Sequence, residues 1–193
     1  EINSEVIKKY LHRLVEADMA KAPLTILATE KWVEREFSTM VGGKVVTCKF
    51  GGIIDRVDRT ESDGKIRIVD YKTGRYPSSW PKTVDEIFDS ERNTSIPANY
   101  YLQTMLYSSI VRAQNPQTPV VPALLYIQRA SNKDYDPTLT FAKEPIGDIS
   151  DYDDEFNQML QQLVGEMFST DIDFAPTTDR TRCERCPFAQ LCC

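Results

Sequence analysis

Asp55, Asp70, Tyr71 and Lys72 are the residues of this chain whose types and spacing suit a shared chemistry, with Asp63-Gly64 lying between the two parts of the set. Two carboxylates are oxygen ligands for a hard divalent cation, and Mg²⁺ is commonly held by one or two carboxylates plus substrate phosphates while it keeps several waters. A protonated lysine cannot join that shell, but it can face a metal-bound water or a phosphoryl oxygen. Metal-assisted phosphodiester hydrolysis needs this division of labour: the cation lowers the pKa of water and polarises the phosphate, and a second positive charge offsets the negative charge that develops. The competing reading is a surface hairpin on which Asp55 and Lys72 form a cross-strand ion pair of little energetic weight.

The elements that must position these residues follow from local pattern. Gly51 to Arg59 and Lys65 to Tyr71 are rich in β-branched residues, and Asp-Gly between such runs is a strong hairpin signal. A two-residue turn at Asp63-Gly64 pairs Ser62 with Lys65 and, counting outward, sets Asp55 opposite Lys72. Opposite residues share a face, as do residues two apart on one strand. Asp55, Asp70 and Lys72 are therefore expected on one side, with Ile53, Val57, Ile66 and Ile68 forming the apolar part of that side. After Ile96-Pro97, the run from Asn99 to Arg112 carries Leu102, Met105, Leu106 and Ile110 at helical spacing, with Pro tolerated in a first helical turn. Gln103 and Tyr107 are four apart and so neighbours on that helix.

A second constellation is the tail, where Cys183, Cys186 and Cys192 form C-x2-C-x5-C and Cys193 follows. Closely spaced thiols of this kind suggest a metal site more readily than disulfides. A [4Fe-4S] cluster takes four thiolates, and zinc is the runner-up for the same residues. Cys48, in the strand-like Val45 to Phe50, reads as a buried free thiol.

Gly52 to Asp58, followed by Ile68-Val69-Asp70-Tyr71-Lys72-Thr73-Gly74, resembles the RecB/AddB-type nuclease branch of the PD-(D/E)xK superfamily. Gln103 to Tyr107 is similar to that branch's Gln-x-x-x-Tyr element, and the cysteine tail resembles its iron-sulfur signature. The resemblance runs from about Glu30 to the C-terminus. It implies Asp55 and Asp70 as metal-binding carboxylates, the Tyr71 carbonyl as a main-chain ligand, Lys72 as the catalytic lysine, and Gln103 and Tyr107 beside the active site. Glu30 resembles the acidic residue placed on a helix before the sheet, with Glu34 and Glu36 as competitors. Cys183, Cys186 and Cys192 would be cluster ligands, the fourth lying upstream of this fragment. His12 lacks the family's introductory Gly and reads as structural or surface. The resemblance further implies Mg²⁺ or Mn²⁺ as cofactor, DNA as substrate, a role in recombination and repair, and a helicase domain or partner subunit. Residues 1–193 read as one nuclease domain excised from a longer helicase-nuclease, with 174–193 as a C-terminal clasp and a cytoplasmic location. The alternative is a nuclease-fold module kept for DNA binding or subunit assembly.

Length and composition agree with one α/β domain: 193 residues, 41% hydrophobic, enough for a substantial core. Helices are expected over Ser4 to Ala20 and Thr25 to Phe37, strands over Lys44 to Asp58 and Lys65 to Lys72, then a helix after Pro97. A buried strand is expected at Val120 to Ile127 and a helix at Asp151 to Ser169, with loops over Ser78 to Asn93 and Ser131 to Glu144. This order predicts a mixed central sheet covered by helices, as in the restriction-endonuclease-like fold of the resembled family. The formal net charge of -6 opposes phosphate binding. Between Lys44 and Arg75, however, eight basic residues stand against five acidic ones, and from Glu144 to Asp173 every charge is negative. A basic active-site side and an acidic back are expected. No segment reads as membrane-spanning.

Overall fold

A computed structural model describes residues 2–89, 96–171, 173, 175, 177, 181, 183–184 and 186–191. The main elements are α1 (Ile2–Lys21), β1 (Leu24–Val41), β2 (Lys44–Thr60), β3 (Ile66–Lys72), α2 (Asp85–Phe88), α3 (Ala98–Gln114), β4 (Val120–Tyr126), β5 (Thr140–Phe141), β6 (Glu144–Pro145) and α4 (Asp153–Phe168). Four strands form the central sheet in the order β1-β2-β3-β4. β1 and β2 pair antiparallel, as do β2 and β3, whereas β3 and β4 pair in parallel. A parallel pair needs a crossover, which α2 and α3 supply. This is the mixed sheet flanked by helices that the pattern predicts, a restriction-endonuclease-like fold.

The helix expected over Thr25 to Phe37 is instead strand β1. Ala28, Glu30 and Lys31 favour helix, but strand structure follows the partner more than intrinsic propensity. Val33 and Phe37 are buried while Trp32, Glu34 and Glu36 are exposed, the period of two that a strand requires. Gly42 and Gly43, at φ of 54° and 77°, close a two-residue hairpin in which Val41 pairs with Lys44. Positive φ at both central residues is the demand of the hairpin turn that matches strand twist.

The second hairpin also differs from expectation. Arg59 pairs with Ile66 and Val57 with Ile68, and the Thr60 amide still donates to the Lys65 carbonyl at 3.1 Å, so the connection is the four-residue loop 61–64 rather than a two-residue turn. Gly64, at φ 70°, donates its amide to the Thr60 carbonyl at 2.9 Å, and Asp63 accepts from the Thr60 hydroxyl. The register moves by two residues. Because two is the period of a strand, Val57, Ile66 and Ile68 stay on their predicted face.

Both faces of the sheet are covered. Ile54, Val57, Ile66 and Ile68 pack with Tyr101, Met105 and Ile110 of α3 and Phe156 and Leu160 of α4 in the larger core. On the other face Val69, Ala123, Leu125 and Ile127 meet Tyr10, Leu14 and Ala17 of α1. The chain segment after β4 covers the β4 edge, with the Leu124 and Leu139 amides donating to the carbonyls of Pro137 and Pro122. Among the described residues no helix is long and apolar enough to cross a membrane.

Candidate active site

β2 and β3 separate just past Arg56↔Val69, their last ladder pair, and the site lies in that fork. Asp55 takes up the hydrogen bonding the ladder no longer supplies: its Oδ2 accepts from the Tyr71 amide at 2.8 Å. In a strand the N–H and C=O of one residue leave on the same edge, so the Tyr71 carbonyl is directed to the Asp55 side. β2 also changes face here. Gly52 and Ile54 face the larger core, and beyond Asp55 it is Val57 that does so, while Arg56 and Asp58 turn to the α1 side. The change overturns one expectation: Ile53, predicted on the apolar face, is 49% exposed.

Asp70 and Lys72 project from β3 towards α3. Asp70 is buried, and Lys72 Nζ stands 2.5 Å from its Oδ2. Lys72 is thus the charged partner of a buried carboxylate oxygen. Burial pushes the Asp70 carboxyl above the ordinary carboxylate value; Lys72 opposes that rise and Asp55 adds to it. A buried carboxylate with a second carboxylate nearby is a place where a cation lowers the cost of charge. Lys72 Nζ also sits 4.1 Å from the Tyr100 ring centroid, a cation–π contact that fixes the ammonium beside Asp70.

α3 supplies the wall of the fork. Gln103 Nε2 donates to Tyr107 Oη at 3.4 Å, and Tyr107 is buried with its hydroxyl against Gly52, where a Cβ would lie 2.1 Å from it. A cleft of about 400 Å³ lined by Arg75, Tyr76, Pro97 and Tyr100 opens beside Lys72. Glu30 is not on a helix. It lies in β1, exposed, at φ 49°, between the pairs Thr29↔Arg56 and Lys31↔Ile54, hence across from Asp55 in register. Its competitors Glu34 and Glu36 pair with Lys49. His12 is exposed on α1.

The fork thus brings together Asp55, Asp70, Tyr71 and Lys72, with Tyr100 of α3 on Lys72, while Gln103 and Tyr107 lie further along α3, where Tyr107 meets Gly52. No group of three His, Cys, Asp or Glu side chains suited to a metal occurs among the described residues. The fit to a divalent cation rests on the two carboxylates, Asp55 and Asp70, and the carbonyl edge of Tyr71, a donor set of the kind that Mg²⁺ accepts while keeping its waters. Tyr100 and Gly52 had escaped the sequence reading. The spacing of Tyr100, Gln103 and Tyr107 at i, i+3 and i+7 on one helical face is the signal that points to the first.

In the tail, Cys183 and Cys186 are free thiols, half-buried, with the Cys186 amide donating to the Cys183 carbonyl at 3.1 Å. Cys192 lies outside the described residues. Cys48 is a half-buried free thiol whose Sγ approaches the Phe37 carbonyl at 3.8 Å.

The family model of the PD-(D/E)XK nuclease superfamily matches residues 1–193. Among solved structures, one named "Crystal structure of SSO0001" is similar at 18% identity and a TM-score of 0.38, the likeness covering 97% of this chain and 70% of that one. No curated protein matches.

Proposed function

The chain belongs to the PD-(D/E)XK nuclease superfamily, and from that premise we propose that it is a Mg²⁺- or Mn²⁺-dependent DNA nuclease of the RecB type, acting as an exonuclease module in recombination and repair. The observation that carries this reading is that Asp55 accepts from the Tyr71 amide, next in the chain to buried Asp70, whose carboxylate is paired with Lys72 at 2.5 Å.

Asp55, Asp70 and the Tyr71 carbonyl would hold the cation, which supplies Lewis acidity towards the phosphate and an acidified water. Lys72, steered by Tyr100, faces the reacting phosphoryl group and offsets its growing negative charge. Tyr107 and Gln103 form the wall against which the strand bearing Asp55 is registered, and Glu30, opposite Asp55, is proposed as an auxiliary acidic residue. The protein module is proposed to work within a longer helicase-nuclease, with 174–193 as its clasp. Cys183, Cys186 and Cys192 are proposed ligands of a [4Fe-4S] cluster completed by a further thiolate.

Purified protein given linear DNA is expected to degrade it with Mg²⁺ or Mn²⁺ and not with EDTA. Asp70→Ala and Lys72→Ala are expected to abolish degradation with the circular dichroism spectrum unchanged. Metal-dependent cleavage surviving both substitutions would remove the site assignment. Cleavage absent even from the longer protein would favour a DNA-binding or assembly module. Iron and acid-labile sulfide, measured anaerobically on that longer protein, are expected in about a 1:1 ratio; bound zinc without iron would reject the cluster.

A further inference from the structure

The cleft of about 400 Å³ beside Lys72 falls within the usual range of ligand sites, roughly 300–1,000 Å³. Among the described residues no carboxylate lines it. Its walls include Ile96, Pro97 and the rings of Tyr76 and Tyr100, and Arg75 stands at it with an exposed side chain. Tyr100 joins the cleft to the active site, because the same ring lies 4.1 Å from Lys72 Nζ. Tyr76 is set edge-on against Trp80, Tyr126 and Tyr135, with centroids 5.3, 5.2 and 6.1 Å away, so packing fixes its ring. Arg129 lies over that ring, its Cζ 4.7 Å from the centroid. The segment bearing Arg129 is tied to the end of β3: the Ile127 amide donates to the Lys72 carbonyl at 3.0 Å, and Gln128 Nε2 to the Thr73 carbonyl at 3.4 Å.

Arg75 and Arg129 are exposed, and among the described residues neither has an ion pair, whereas Arg56, Arg59, Arg67 and Arg112 all pair with carboxylates. An exposed guanidinium with no carboxylate is open to a phosphate, which it matches in geometry as well as charge. Stacking on Tyr76 leaves the in-plane N–H donors of Arg129 available for that contact. Between the two arginines, aromatic and proline walls suit the flat face of a nucleobase, and such stacking tolerates any base. A base enters the cleft when it is out of a duplex stack. We propose that the cleft receives an unpaired base next to the scissile phosphate, with Arg75 and Arg129 on phosphates of the DNA strand that carries it. The inference rests on the nuclease reading for its ligand and goes beyond it by assigning the path of the strand. That path crosses the first turn of α3 and the end of β4, away from the β1–β2 hairpin.

The test titrates the full chain with a labelled thymidine oligonucleotide, with Ca²⁺ in place of Mg²⁺ and over a range of salt. Arg75→Ala and Arg129→Ala are each expected to make the plot of log affinity against log salt shallower by about 0.7, the loss of one single-strand phosphate contact. Lys44→Ala, which removes an exposed cation at the tip of the β1–β2 hairpin, is expected to leave the slope unchanged. Ser78→Trp, at an exposed position on the cleft, fills the space and is expected to weaken binding about tenfold. An abasic position scanned along the oligonucleotide is expected to cost wild type about tenfold at one place, and the Ser78→Trp variant nothing further there. No measurable binding of the single strand, slopes unchanged in both arginine variants, or binding indifferent to Ser78→Trp would overturn the proposal. Cleavage with Mg²⁺, measured in parallel, reports on the nuclease reading separately. DNA bound with the expected slopes but left uncut would remove that reading and keep the subsite, while DNA cut with the slopes unchanged would remove the subsite alone.

Discussion

Asp70 shows what a buried carboxylate costs the protein that carries it. Burial raises its folded pKa above the unfolded value of 3.8, so the penalty is absent at pH values below 3.8 and grows as pH rises through the folded pKa. At neutral pH the metal-free protein carries all of it. Asp70→Asn is therefore expected to raise the unfolding temperature of metal-free protein at pH 7 while abolishing cleavage, a trade of stability for function. The gain should shrink as the pH is lowered towards 3.8, when wild-type Asp70 is itself neutral; a scanning-calorimetry series across pH reads both effects. Equal unfolding temperatures at pH 7 would mean that Lys72 already compensates the buried charge in full. Tyr100 belongs to the same account, since a ring 4.1 Å from the Lys72 ammonium holds the cation without neutralising it.

At the scale of elements, two adjacent glycines do different work. A Cβ at Gly51 would lie 2.1 Å from the Val33 carbonyl and 2.7 Å from Glu34 Cα, both backbone atoms of β1, whereas a Cβ at Gly52 meets the end of the Tyr107 side chain. Gly51→Ala is expected to destabilise by roughly 2–3 kcal/mol in urea unfolding, with no rescue from α3. Gly52→Ala should be partly rescued by Tyr107→Phe, which removes the clashing hydroxyl; additive costs in the double mutant would deny the contact. How far such features were legible varies with their range. The shared face of Asp70 and Lys72 with Ile66 and Ile68 could be read because strand parity survives a register error of two. The helix-like composition of residues 25–37 misled because nothing local reports that β2 will pair alongside; only Gly42-Gly43 announced it. The face change at Asp55 was invisible, since it arises where β3 ceases to pair with β2, and Tyr100 could be valued only once Lys72 was seen to reach it.

For the whole molecule, the basic excess counted between Lys44 and Arg75 largely disappears on folding. Arg56 and Arg67 are buried on Asp58, Lys49 pairs with Glu34 and Glu36, Arg59 with Glu61, Lys65 with Asp63 and Lys72 with Asp70. The expected basic side is thus reduced mainly to Lys44 and Arg75. With so few cations left for phosphates, the plot of log affinity for DNA against log salt is expected to have a slope shallower than about -3, measured by fluorescence anisotropy with Ca²⁺ in place of Mg²⁺; a steep slope would point to a basic surface outside this segment. The long β1–β2 hairpin has a further consequence, for the state of the chain in a crowded solution. β4 has its edge covered, but β1 is the outer strand of the sheet along 18 residues, and Trp32 and Met40 on it are exposed. Among the described residues no strand pairs with that outer edge, and an unpaired edge of such length is a template for strand-by-strand self-association. The exposed Glu30, Lys31, Glu34 and Glu36 interrupt it with charge, so these residues serve as gatekeepers that keep one copy of the sheet from growing onto the next.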